Sequence, residues 1–144
     1  MARNAERPLS PHITIWRWGP HMLLSILHRV TGVGLATVGI GLLVWGLAAA
    51  AAGPEAYARF LGCLTTDEGA PNLVGWVLMM GLTWAFFTHM LNGIRHFVMD
   101  TGAGYELRTN KSFSVAVLLG ALFLTIAVWA WVLYGMWPGG AGNG

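Results

Sequence analysis

Charge is what this sequence has least of. Lys, Arg, Asp and Glu make up 10% of its 144 residues, against about 25% in a soluble domain. So few charges cannot clothe a water-facing surface, which excludes a soluble catalytic domain and points to a membrane protein. Cysteine is almost missing too, with Cys63 the only one. An intrachain disulfide is therefore excluded, and so is a cysteine-built zinc or iron–sulfur site. The formal net charge is only +2, and no basic, aromatic-interleaved stripe offers a surface for nucleic acid. The opening residues, Met1 to Arg7, are polar, and no apolar run begins before Met22. That pattern does not read as a cleavable signal peptide or a Ser/Arg-rich presequence. The first helix is expected to serve as the insertion signal, in a bacterial inner membrane rather than a mitochondrial one.

What is abundant is hydrocarbon. Hydrophobic residues make up 56% of the chain, and three runs meet the length of roughly 20 residues that a spanning helix needs. They cover about 22–52, broken only by His28 and Arg29, then about 73–98, and then 113–137, which carries no charge. The fold expected is an all-α membrane protein with three transmembrane helices spread over 22–137. A polar arm over 1–21 precedes them and a Gly-rich, flexible tail over 138–144 follows. The connections are 53–72, which holds Pro54 and Pro71, and the short polar 99–112.

Orientation follows from the basic residues. Arg3, Arg7, Arg17, Arg29, Arg95, Arg108 and Lys111 flank the N-terminal end and the second connection, whereas Arg59 alone lies in the first. The N-terminus and second connection are expected to be cytoplasmic, and the C-terminus to lie on the opposite side. Trp16 and Trp18 at one face, with Trp76 and Trp137 at the other, suit interfacial aromatic belts. Gly32, Gly34, Gly39, Gly41 and Gly46 suggest a first helix packed closely against neighbours. The third helix reads as a packing and anchoring helix that faces lipid.

Ionisable side chains inside apolar runs are candidate functional residues, because burying them in hydrocarbon is unfavourable. His89 is foremost, with Gly93 one turn on and His96 two turns on along the same face. One imidazole from this helix can occupy one axial position of a haem iron, and Gly93 leaves room for a macrocycle. The alternative is a neutral histidine hydrogen-bonded to a neighbouring helix. His89 and His96, about 10.5 Å apart along an axis, cannot hold one metal from opposite sides. Arg95 reads as a snorkelling anchor at the cytoplasmic edge, with Asp100 as its partner or as the helix terminator. In Ser25-Ile-Leu-His-Arg29 a hydroxyl and a guanidinium share a face. They could hydrogen-bond a quinone carbonyl, or His28 and Arg29 could neutralise haem propionates; an anchor with a helix-start serine is the other reading. Taking Arg29 and Arg95 as marks of one membrane edge puts His28 too shallow to meet His89. A second iron ligand would then come from another chain.

Three segments in order, Arg7-Pro-Leu-Ser-Pro-His12, Ser25-Ile-Leu-His-Arg-Val-Thr-Gly32 and His89-Met-Leu-Asn-Gly-Ile-Arg-His96 followed by Asp100, resemble the cytochrome b membrane-anchor subunits of succinate dehydrogenase, respiratory complex II. The resemblance runs from about Arg7 to Trp137. It implies a chain without dicarboxylate chemistry of its own that packs with a second three-helix anchor. The two would share one b-type haem and hold the flavoprotein and iron–sulfur subunits on the cytoplasmic face. His89 would be the haem ligand, Ser25 and Arg29 would serve ubiquinone, and His28 and Arg29 would sit near the propionates. His96 would shape the site, and the arm over 7–12 would rest on the soluble subunits. Cys63 and Arg59 inherit no role. The alternatives are the anchor of a quinol:fumarate reductase and a haem-free packing or assembly subunit.

Overall fold

The computed structural model describes residues 15–136; the arm motif over 7–12, Trp137 and the tail over 138–144 lie outside them. Four helices form. Three are long and apolar enough to cross a membrane, and no strand occurs among the described residues, only one bridge between Thr65 and Pro71. The all-α, three-span architecture read from the apolar runs is what the chain adopts.

Helix α1, Pro20–Ala52, starts at Pro20, whose fixed φ suits the first helical position and whose missing N–H is not needed there. It is continuous but not uniform. A π-helical segment, Leu35–Gly39, interrupts the α-helical turns Pro20–Gly34 and Ile40–Ala52. Gly53, at φ +112°, then ends the helix in a conformation that L side chains avoid. Pro54 at once opens α2, Pro54–Leu64. This short amphipathic helix, inside the first connection, goes unnoticed when only apolar runs are counted. Its Phe60 turns back onto α1, edge-on to Trp45 at 4.9 Å and over the bare Cα of Gly46.

Helix α3, Leu73–Asp100, is capped by Asn72, whose Oδ1 accepts the Gly75 N–H at 2.9 Å. The same side chain donates from Nδ2 to the Cys63 carbonyl at 3.1 Å, tying the cap to the end of α2. Gly75 is required by close approach, since a Cβ there would overlap the Leu64 carbonyl oxygen. Helix α4, Leu107–Met136, begins well before the apolar run at Phe113.

The three spans run up, down and up. His28 of α1 meets His89 of α3, and a Cβ on Gly39 would lie against Leu82, so α1 and α3 are antiparallel. Arg95 meets Asn110 at one end of the α3–α4 pair and Trp76 meets Trp129 at the other. The interior is lined chiefly by α4: Ser114, Val117, Ala121, Thr125 and Trp129 are buried at helical spacing. The helix expected to face lipid therefore also supplies a packed face, marked by small residues that let backbones approach. Helix α1, for all its glycine, buries only Leu24, Thr31 and Ala49.

Candidate functional site

Three histidines converge where α1 crosses α3. The His28 and His89 rings are stacked, with centroids 3.9 Å apart and planes 6° from parallel. His96 lies 5.5 Å from His28 at a tilt of 52°. The shallow placement argued for His28 is thus corrected. Helix α1 begins at Pro20, eight residues before His28, which places His28 about 12 Å along the helix. Arg29 therefore lies two helical turns into α1, near the level of His89 rather than that of Arg95.

The polar contacts of His89 determine what its ring can do. Nδ1 lies 3.1 Å from the His28 carbonyl oxygen. A carbonyl only accepts, so Nδ1 carries the proton and donates it, leaving an in-plane lone pair on Nε2. Metal-bound histidines commonly show this division, one nitrogen ligating while the other donates to a carbonyl or carboxylate. The buried Thr31 reinforces the arrangement: its hydroxyl donates to the Leu27 carbonyl at 2.7 Å, and its oxygen lies 3.5 Å from His89 Nδ1. Gly32 completes the seat, because a Cβ there would come within 2.8 Å of His89 Cε1. Thr31 and Gly32 escape a reading by residue type, since neither carries a charge or a ligating atom. Their place beside His28 in the Ser25–Gly32 segment was a signal, and Gly32 also stood among the glycines that mark close packing of the first helix.

His28 Nδ1 is buried and has no hydrogen-bond partner among the described residues. A buried polar group without a partner is unfavourable by about 1–3 kcal/mol, so this nitrogen calls for a partner from outside the chain. Ser25 and Arg29 lie one turn apart on the exposed side of α1. They make no hydrogen bond to the rest of the described chain, and their polar ends are open to a ligand. Gly93 has no heavy atom near its missing Cβ, leaving free space along α3 one turn from His89.

Arg95 departs from the reading as a snorkelling anchor. It is 8% exposed and turned inward. Its Nη1 donates to Asn92 Oδ1 at 3.2 Å and its Nη2 to Asn110 Oδ1 at 2.7 Å. Asp100 ends α3 without pairing with it. Asn110 sits beyond the α3–α4 turn, so a count along one helix could not have found it.

Residues 3–128 match the family described as succinate dehydrogenase/fumarate reductase transmembrane subunit. The chain belongs to that family. Among its relatives, the succinate dehydrogenase cytochrome b556 subunit of Paracoccus denitrificans is 34% identical over 123 residues, covering 85% of this chain and 89% of that one. The cytochrome b556 subunit of Rickettsia conorii is 31% identical over 124 residues, with 86% and 91% covered. The mitochondrial cytochrome b560 subunit of Sus scrofa is 34% identical over 116 residues, with 81% and 66% covered. As a member of this transmembrane-subunit family, the chain is a multi-pass membrane component of an enzyme complex. The histidine cluster, Ser25 and Arg29 all fall within the matched region.

Proposed function

We propose that this chain is the cytochrome b anchor of a succinate:ubiquinone oxidoreductase, sharing one b-type haem with a second anchor and helping to build the ubiquinone-reduction site. The observation that carries the haem reading is the donation from His89 Nδ1 to the His28 carbonyl. It presents Nε2 as a neutral imidazole ligand inside a membrane span. The relatives' printed names, cytochrome b556 and b560, support the same assignment. The residues present fit the group: a ligating nitrogen at His89, an unpartnered nitrogen on His28 for a propionate, a cation at Arg29 and open space over Gly93. His96, beside His28, shapes the wall of the site. Parallel rings 3.9 Å apart leave no space for iron between His28 and His89, so the second ligand is assigned to the partner anchor. Bound there, the haem would supply a one-electron centre whose potential is set by its ligands, burial and propionate pairing.

Quinone chemistry belongs to Ser25 and Arg29. Ubiquinone takes up two electrons and two protons to become ubiquinol, and negative charge builds on its carbonyl oxygens as electrons arrive. A hydroxyl and a guanidinium one turn apart can both donate to that charge, and together they hold the ring in one orientation. Succinate is oxidised in a flavoprotein subunit, and an iron–sulfur subunit brings the electrons. Both dock on the cytoplasmic face, with the N-terminus and the α3–α4 turn. The second anchor packs against α1, where Gly34 and Gly41 have empty space beside them and Val33, Ile40 and Leu43 are exposed. Relatives from Paracoccus and Rickettsia favour a bacterial inner membrane. Succinate dehydrogenases among the relatives favour succinate oxidation over fumarate reduction.

The test is a dithionite-reduced minus oxidised absorbance spectrum of the detergent-purified complex, wild type beside His89→Ala. A b-type signal lost or shifted in the variant is expected. No such signal in the wild type would sink the haem assignment and leave the histidines as helix-joining residues.

A further inference from the structure

Ser25 and Arg29 have a neighbour on α1 that lies outside the histidine cluster. His21 stands one turn before Ser25 and two turns before Arg29, so the three side chains fall within about 80° of one another around the helix. Side chains four apart stand about 5–6 Å from each other at Cβ, which brings an imidazole and a hydroxyl within reach. Helical side chains also tilt toward the N-terminus, so Ser25 leans toward His21. His21 in turn lines a cavity of about 620 Å³ where the start of α1 meets the start of α4. Its other walls are residues 15–19, which lead into α1, together with Met22 and with Leu107 and Lys111 of α4. Arg17 and Lys111 are the other charged groups in this lining, and no residue of α3 enters it. Trp16, Arg17, Trp18 and Lys111 are exposed, so the cavity opens at the end of the bundle where basic residues gather.

The ring is seated but not committed. Gly19 lies against it, since a Cβ there would come within 2.6 Å of Cε1. Nδ1 is buried at that contact and has no hydrogen-bond partner among the described residues. His89 differs, because its Nδ1 is held by the His28 carbonyl. No such bond fixes one tautomer of His21, and an imidazole free to take and release a proton is suited to carrying one. We infer that His21 relays protons to the quinone pair. Its imidazolium passes a proton to the Ser25 hydroxyl, which gives its own to a ubiquinone carbonyl oxygen as electrons arrive from the iron–sulfur subunit. Water in the cavity between α1 and α4 then restores the proton to the ring. Ubiquinol formation needs two electrons and two protons, and His21 carries one proton at a time. This role rests on the placing of ubiquinone at Ser25 and Arg29.

Ubiquinone reduction by the detergent-purified complex, normalised to its succinate oxidation by an artificial dye, tests the inference. The wild-type kcat is expected to fall as pH rises through the range in which imidazole loses its proton. His21→Gln should lower kcat at least about tenfold and abolish that pH dependence, while the KM for ubiquinone stays within about twofold. Imidazole added to the buffer should restore part of the rate. Gly19→Ala keeps the imidazole but pushes it from its seat. It should lower kcat in the same direction, and it keeps the test decisive if His21→Gln does not assemble. A wild-type kcat in either variant, a loss confined to KM, or a pH profile unchanged by His21→Gln would overturn the relay. Ser25→Ala separates the relay from the reading beneath it. Wild-type ubiquinone reduction by Ser25→Ala would remove the quinone from this face of α1. A slow Ser25→Ala beside a normal His21→Gln would keep the quinone there and remove only His21.

Discussion

A single methyl group is enough to probe the seat of His89. Gly32→Ala would force the imidazole off the His28 carbonyl, because the added carbon comes within 2.8 Å of the ring. The expected result is a shifted or weakened b-type signal and a changed low-spin electron paramagnetic resonance spectrum. Gly81→Ala, with nothing near its Cβ position, should leave both unchanged. At the quinone side, Arg29→Ala should reduce ubiquinone reduction about a hundredfold, the scale of losing a donor to developing negative charge. Succinate oxidation by an artificial dye should survive; equal loss of both activities would make Arg29 an assembly residue instead. His89 was legible from sequence because an imidazole in an apolar run is conspicuous. Gly32 was legible only as one of several close-packing glycines, because the ring it seats arrives from another helix.

Between elements, the strongest constraints are polar contacts that bridge turns. Asn110→Ala would leave Arg95 Nη2 without its 2.7 Å acceptor, and a destabilisation of about 1–3 kcal/mol is expected. The midpoint of thermal or detergent-induced unfolding would register it, and an unchanged midpoint would show that water or lipid already serves that nitrogen. Gly75→Ala should destabilise by a similar 1–3 kcal/mol and lower the same midpoint, since its methyl would overlap the carbonyl that ends α2. The spans themselves could be read from length and hydropathy, because hydrocarbon thickness imposes both. Helix α2 could not be read that way, for its eleven residues obey an amphipathic pattern rather than a spanning length. The inner face of α4 was equally hidden: an all-apolar helix gives hydropathy no contrast, and Ser114, Ala121 and Thr125 mark the packed side by size instead.

For the whole molecule, the one cysteine is a ready-made reporter of orientation. Cys63 is exposed near the end of α2, in the connection opposite the α3–α4 turn. A membrane-impermeant maleimide added to intact spheroplasts should label it from outside. Labelling only after the membrane is opened would reverse the proposed topology. The up-down-up order was implicit in three spans with short connections, but the meeting of His28 with His89 was not. It depended on the depth of Arg29, which charge alone set level with Arg95. Helix α1 has one more property that follows from its π-helical segment, Leu35–Gly39. A π turn accommodates an extra residue, so the two ends of α1 are out of phase by about 100° relative to an unbroken helix. One rod thus keeps two angular registers, one geared to His89 through Gly32 and the other to Phe60 through Gly46. Deleting a single residue within Leu35–Gly39 would close the segment to ordinary α-helix with both gears still meshed, whereas a deletion elsewhere in α1 would rotate one gear away from its partner.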